Sequence, residues 1–150
     1  MLQRLIRLDW LPSSYDFGLL ALRLLAPIPL FLKHGTEKLF RFHAMAAHFP
    51  NPIHIGAVTS LVIAMIADGI CMPLLVLGLA TRWAALWSFF NLLVAWVFVH
   101  HFVFFGPGSD HGELIVVYMG AMVTLFLAGP GKYSIDACLA PRPAAVVQVH

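Results

Sequence analysis

The sequence predicts an all-α integral membrane protein, a four-helix bundle that lies in the lipid bilayer. Of its 150 residues, 61% are hydrophobic and 11% are charged, whereas a soluble domain is about 45–50% apolar and about 25% charged. The mean hydropathy is +0.87. Four apolar segments each approach or exceed the roughly 20 residues with which a helix crosses the hydrocarbon core. They comprise residues 17–40, 55–80, 83–105 and 112–128.

Turn residues separate these segments and place them in one transmembrane domain, residues 1–140. The short Thr81-Arg82 connection predicts that the second and third spans form an antiparallel hairpin. Breakers at 106–110 and 129–131 predict the last two turns. Residues 1–10 alternate apolar and basic positions, which predicts a short interfacial helix. The proline-containing tail, 141–150, is expected to be mobile.

The distribution of cationic residues predicts the orientation, because four spans place both termini on one side of the membrane. The side that holds the termini carries Arg4, Arg7, Arg82, Lys132 and Arg142. The opposite side carries Lys33, Lys38 and Arg41. The positive-inside rule therefore predicts a multi-pass protein of a bacterial-type inner membrane with both termini in the cytoplasm. The formal net charge of +2 is too small to suggest binding to nucleic acid.

Two charged residues lie deep within the first two spans. Arg23 and Asp68 fall at similar depths when residues are counted from the helix ends, and a charge in hydrocarbon needs a partner. We therefore expect a buried ion pair between them, with separate solvation by water as the alternative. Prolines at 27, 29 and 73 remove backbone hydrogen bonds near this depth, and such breaks are tolerated where they are buried in protein or line a cavity.

A second polar group is predicted at the outer face, where the run 32–40 leaves the first span and histidines accumulate. Imidazole and ammonium groups can donate hydrogen bonds to the carbonyl oxygens of a quinone, and carboxylates or histidines can exchange its protons. A carboxylate at a helix N-terminus also has a purely structural explanation, which applies to Glu113. The candidate pocket residues are His34, Glu37, Lys38, His100, His101 and Glu113.

The sequence lacks the spacing of known metal and nucleotide sites. It has no Cys-x-x-Cys zinc pattern, no phosphate-binding loop and no dinucleotide fingerprint. We therefore expect no metal or nucleotide cofactor, and keep a metal at the histidine-rich face as an alternative, since imidazole and carboxylate suit copper, zinc or iron.

Four motifs resemble those of the DoxX family of small four-helix membrane proteins, and the resemblance covers residues 17 to 139. The motifs are residues 22–25 with 31–39, residues 67–69 with 77–85, Gly112-Glu113, and the run Gly129 to Asp136. One departure is Asp68, where the family usually has Glu, a side chain longer by one methylene. The resemblance implies a membrane subunit associated with redox complexes.

The leading functional hypothesis is an inner-membrane subunit of a redox complex that offers a quinone-facing polar pocket at the outer face. Quinone would be the bound cofactor, and a redox partner subunit would supply the electrons, so the chain would be part of a quinone-linked oxidoreductase and not a complete enzyme. A homodimer is a further arrangement to consider. The alternatives are a non-catalytic membrane anchor or assembly factor for an oxidoreductase, and a carrier of small molecules or metal ions.

Overall fold

The computed structural model describes residues 14–104 and 112–140, and these residues form helices and turns without a strand. The predicted interfacial helix, the turn at 106–110 and the tail at 141–150 lie outside the described residues. The helices are α1 Tyr15–Phe40, α2 Phe42–Ala46, α3 Ala57–Leu77, α4 Thr81–Val99, α5 Gly112–Ala128 and α6 Ile135–Leu139.

Three of these helices, α1, α3 and α4, are long and apolar enough to cross a membrane, and α5 is a shorter apolar helix of 17 residues. Large side chains on the outside of the bundle are unusually apolar. Phe40, Trp83 and Leu25 expose 85%, 76% and 74% of their surface, which a lipid environment accommodates and water does not. The chain is therefore a multi-pass membrane protein, as its composition predicts.

Consecutive long helices pack antiparallel. Helix α1 lies against α3, α3 against α4, α4 against α5, and the first part of α1 returns to α5. Small side chains such as Ala67, Ala84 and Ala85 are buried between helices and allow the close approach on which association in lipid depends. At Gly35 of α1, an added Cβ would overlap the carbonyl oxygen of Asp68 in α3.

Three of the long helices contain a wider, π-helical segment. These segments are Phe31–Gly35 in α1, Ile66–Cys71 in α3 and Ala95–Val99 at the end of α4. Helix α1 is also interrupted at Ala26, immediately before the first of its prolines. The π segments of α1 and α3 lie against each other, so both helices depart from regular geometry at one level of the bundle. Such departures are frequent at functional sites.

The second and third predicted spans have different ends in the structure. Helix α3 ends at Leu77 because Gly78 adopts a left-handed conformation, with φ of 69°. Helix α4 begins at Thr81, so Thr81 and Arg82 are helical and the connection is residues 78–80. The carboxylate of Asp136 explains this start, since it accepts hydrogen bonds from the backbone N–H of Ala80 and Thr81 at 2.8 and 2.9 Å. Helix α4 ends at Val99 and not at residue 105.

Arg23 is held by backbone carbonyls at the end of the bundle where α1 begins. Its side chain is buried, with 1% exposed. Nε donates to the Leu75 carbonyl at 2.9 Å and Nη2 to the Val76 carbonyl at 2.8 Å. Nη1 donates to the carbonyls of Pro130 and Tyr133 at 2.8 and 2.9 Å. We call this arrangement the Arg23 clamp. It provides donors for carbonyls in the last turn of α3, which have no hydrogen-bond partner within the helix.

The predicted ion pair between Arg23 and Asp68 is therefore wrong. The π segments place Asp68 level with Gly35 of α1, and Arg23 lies 12 residues earlier in the chain, about 18 Å along a helix. Counting residues from the ends of predicted spans gave a similar depth for both charges because it did not fix the register of α1 against α3.

The motif at residues 129–136 completes the clamp. A Cβ on Gly78 would lie 2.5 Å from the guanidinium carbon of Arg23 and 2.5 Å from Cβ of Ser134, so only glycine fits between them. The Ser134 hydroxyl donates to the Gly131 carbonyl at 2.6 Å and accepts from the Ala137 N–H at 3.1 Å, which caps α6. This motif thus has an architectural role.

Replacing Arg23 with Met should lower the free energy of unfolding by about 3–5 kcal/mol, because four carbonyls lose their charged donor in a buried site. Thermal unfolding in mild detergent measures the change. Arg82→Met is the matched control, since Arg82 is exposed and makes one long hydrogen bond of 3.5 Å to the Leu127 carbonyl. If both substitutions lowered the free energy of unfolding equally, the stabilising role of the Arg23 clamp would be contradicted.

The stability should also depend on pH through Asp136. Burial alone would raise the pKa of Asp136, but the N–H groups of Thr81 and Ala80 and the charge of Arg23 hold that pKa below its ordinary value of 3.8. The folded state therefore releases this proton more readily than the unfolded state, so the stabilisation is present above the ordinary pKa and is lost as pH falls through the folded pKa.

We expect Asp136→Asn to be less stable than the wild type at neutral pH, with the difference shrinking as pH falls below 3.8. Melting temperatures of both proteins across this range test it. A difference that does not change with pH would show that the carboxylate charge is not what stabilises this turn.

Candidate functional site

A cavity of about 610 Å³ lies among α1, α3, α4 and α5. One side of it is lined from the segment between α2 and α3, by residues 49, 50, 52, 53 and 55. This volume is typical of small-molecule sites, which span about 300–1,000 Å³. Most of the wall is apolar. Aromatic and aliphatic lining residues include Phe49, Ile53, Ile63, Trp87, Phe90, Val94 and Ile115.

An ion pair stands in this apolar wall. The Lys38 ammonium lies 2.8 Å from Oδ2 of Asp68, and each side chain is 9% exposed. Asn91 of α4 donates from Nδ2 to Oδ1 of Asp68 at 3.4 Å. Lys38 also donates to the backbone carbonyl of His34 at 3.3 Å. All four residues line the cavity, so two charged groups and an amide from three helices meet at one place on its surface.

Helix geometry explains why Lys38 reaches Asp68. A helical Cα–Cβ bond tilts toward the N-terminus, so the long side chain of Lys38 runs back along α1 from its end toward the interior. The Lys38 side chain runs alongside the π segment Phe31–Gly35, which contacts the π segment of α3 that contains Asp68. Although the aspartate is one methylene shorter than glutamate, it makes a close pair at 2.8 Å.

The structure divides the six predicted pocket residues into two groups. His34, Lys38 and His100 line the cavity. Glu37, His101 and Glu113 are exposed and lie outside its lining. Glu37 borders a separate surface depression, His101 sits in the turn after α4 with φ of 47°, and Glu113 lies in the first turn of α5, where a carboxylate suits the free N–H groups.

Sequence reasoning missed several residues of the wall. Asn91 carried a usable signal, since an amide inside a long apolar segment needs a hydrogen-bond partner. Ser60 carried the same signal; its hydroxyl donates to Oδ1 of Asn51 at 3.4 Å, which also accepts from the Gly56 N–H at 2.9 Å. Trp87 and Tyr118 gave no such signal in the sequence, because aromatic residues are common in membrane-spanning helices whether or not they line a site.

All three π segments supply residues to the cavity: His34 from α1, Asp68 from α3, and Ala95 and Val99 from α4. A π turn contains one extra residue, so the side chains that follow it point in a different direction from those of a regular α-helix. The irregular helices and the polar residues of the wall therefore belong to one feature of the molecule.

The chemistry available in this wall is hydrogen bonding to a ligand by an ammonium, a carboxylate, an amide and an imidazole. Within residues 14–104 and 112–140, no group of three His, Cys, Asp or Glu side chains is placed to share a metal ion. Cys71 is buried and Cys138 is exposed, and neither is in a disulfide.

Comparison with known proteins gives one finding. Residues 18–101 match the DoxX family model, which is more than half of the chain. The matched range contains Arg23, the Lys38–Asp68 pair and Asn91. No significant match was found among curated proteins or among solved structures.

Breaking the Lys38–Asp68 pair on one side should destabilise the protein more than removing both charges. We expect Lys38→Met to lower the free energy of unfolding by about 3–5 kcal/mol, because it leaves a buried carboxylate without its partner. The double variant Lys38→Met/Asp68→Leu should recover a large part of this loss. A double-mutant cycle by thermal unfolding measures the coupling, and additive effects would show that the two charges do not interact.

Proposed function

The chain is a member of the DoxX family, and we propose that its cavity binds the head group of a membrane quinone as part of a redox complex. The observation that carries the proposal is the Lys38–Asp68 pair, with Asn91 beside it, in the wall of an otherwise apolar cavity. A quinone head group is a flat apolar ring with carbonyl oxygens at its edge, and it requires this combination of surfaces.

The donor count of Lys38 supports binding of a carbonyl. An ammonium has three N–H donors. One is directed to Asp68 at 2.8 Å and one to the His34 carbonyl at 3.3 Å, which leaves one for a ligand. Asn91 has a second amide N–H beyond the one used on Asp68. Two donors from different helices can therefore approach the oxygen atoms of one ring.

The same groups suit the proton chemistry of the proposed ligand. Reduction of a quinone to a quinol takes up two electrons and two protons, and each carbonyl oxygen becomes a hydroxyl. In this proposal a partner oxidoreductase subunit delivers the electrons. Lys38 gives one of the two protons and the imidazolium of His34 gives the other, one to each ring oxygen, and both groups regain their protons from water. Asp68 accepts a hydrogen bond from a hydroxyl of the quinol. We place this chemistry at the outer face of a bacterial-type inner membrane, with both chain termini in the cytoplasm.

One observation favours a second candidate, a non-catalytic anchor or assembly factor for an oxidoreductase. Arg23 and the motif at 129–136 act in the architecture of the bundle, through the Arg23 clamp. If the Lys38–Asp68 pair had the same purpose, the chain would need no ligand. Binding of quinone to the purified protein decides between the two functions.

The binding experiment compares variants that change the cavity with one that does not. Ala64 is buried and lines the cavity, so the ring of Ala64→Phe should occupy part of the space for the head group and reduce quinone affinity at least about tenfold. Asn91→Leu should weaken binding about fivefold, the equivalent of one hydrogen bond of about 1 kcal/mol. Glu113→Gln is the control, because Glu113 is exposed and outside the cavity.

Equilibrium titration of each detergent-purified protein with a short-chain benzoquinone and a short-chain naphthoquinone gives the affinities. Comparable affinity in the wild type and in Ala64→Phe, or binding of neither compound, would overturn the proposal. The second result, together with capture of a stable oxidoreductase subunit, would support the anchor function.

A further inference from the structure

The size of the cavity limits how much of a membrane quinone it can enclose. A cavity of about 610 Å³ is of the size that encloses one small ligand. That is enough for a substituted ring and the beginning of its side chain. The remainder of a long isoprenoid chain must leave through an opening in the wall, and the position of this opening is a separate property of the site.

Two residues of α4 mark an opening toward lipid. Trp87 and Phe90 line the cavity and expose 45% and 55% of their surface. They lie four and seven residues after Trp83, on one face of α4. Trp83 is 76% exposed and outside the cavity lining, so this face meets both the cavity and the lipid. Across from them on α3 lie Ile63 and Ala64, which also line the cavity.

The contact that closes this gap is weak. Trp87 Nε1 donates to the Ile63 carbonyl at 3.5 Å, beyond the usual 2.7–3.2 Å of an N–H···O hydrogen bond. Phe90 and Asn91 both line the cavity, and Asn91 donates a hydrogen bond to Asp68. A head group on the Lys38–Asp68 pair would therefore lie beside the gap between α3 and α4.

The segment at residues 49–55, on the other side of the cavity, is held to the start of α3 by hydrogen bonds. Asn51 Oδ1 accepts from the Gly56 N–H at 2.9 Å and from the Ser60 hydroxyl at 3.4 Å. Pro50 and Pro52 flank this asparagine and restrict its backbone. The 2.9 Å hydrogen bond of this segment is shorter than the 3.5 Å contact at Trp87, so the gap between α3 and α4 is the more weakly held side of the cavity.

From these observations we propose that the quinone enters the cavity laterally from the bilayer, between α3 and α4, and that its bound chain runs out past Trp87 and Phe90. This inference rests on the proposed function and adds the route by which the ligand enters and the path of its chain. The ligand need never cross the aqueous phase, which suits a molecule that is dissolved in lipid.

Photolabelling tests the route. The probe is a benzoquinone whose chain carries a diazirine near the ring, added to the protein in phosphatidylcholine nanodiscs, with labelled peptides mapped by mass spectrometry. We expect label at residues 60–64 and 87–90 that disappears when excess short-chain benzoquinone occupies the cavity. Trp87→Ala should lose the label at position 87 and shift it to neighbours on α3 and α4.

Trp83→Ala is the matched control, since Trp83 is on the same helix, is 76% exposed and lies outside the cavity lining. It should leave the competed label unchanged. Residues of both segments line the cavity, so competed label confined to residues 49–55, with none at 87–90, would overturn the lateral route while keeping the proposed function. If no label is competed and short-chain benzoquinone does not bind, the proposed function fails, and this inference fails with it.

Discussion

Charged side chains within a bilayer must find their partners inside the protein, and this constraint organises the whole bundle. The chain meets it in two separate ways. Arg23 is satisfied by four backbone carbonyls, and Asp68 is satisfied by the ammonium of Lys38. A guanidinium can serve several carbonyls because its five donors spread in a plane, whereas an ammonium acts as a compact charge on a flexible stem.

These two solutions give the ends of the bundle different properties. At one end the Arg23 clamp ties α1, the end of α3 and the motif after α5 together, and Gly78 and Ser134 fit against the guanidinium without spare room. Toward the other end, three π segments open the packing and a cavity forms around the Lys38–Asp68 pair. A buried ion pair contributes little net stability compared with apolar side chains of the same size, and we propose that this pair serves a ligand.

Hydropathy and turn residues were sufficient to predict the four longer apolar helices, since a span must be long and apolar whatever its contacts. They could not predict the start of α4, which depends on a carboxylate 55 residues away. The partner of Asp68 was mispredicted because the register between two helices depends on their contacts, here Gly35 against the backbone of α3. Of the site, His34, Lys38 and His100 were predictable as polar residues at a span end. Trp87 and Tyr118 were not, because nothing distinguishes them from lipid-facing aromatics.

The measurement that tests the central claim most directly is mass spectrometry of the lipid extract from the wild-type protein, purified in mild detergent from its native membrane. If the cavity is a quinone site, a quinone should be retained at close to one molecule per chain, and washing with a short-chain quinone should displace it. An extract that contains only bulk phospholipids would contradict the account, and the Lys38–Asp68 pair would then be a structural element of the bundle.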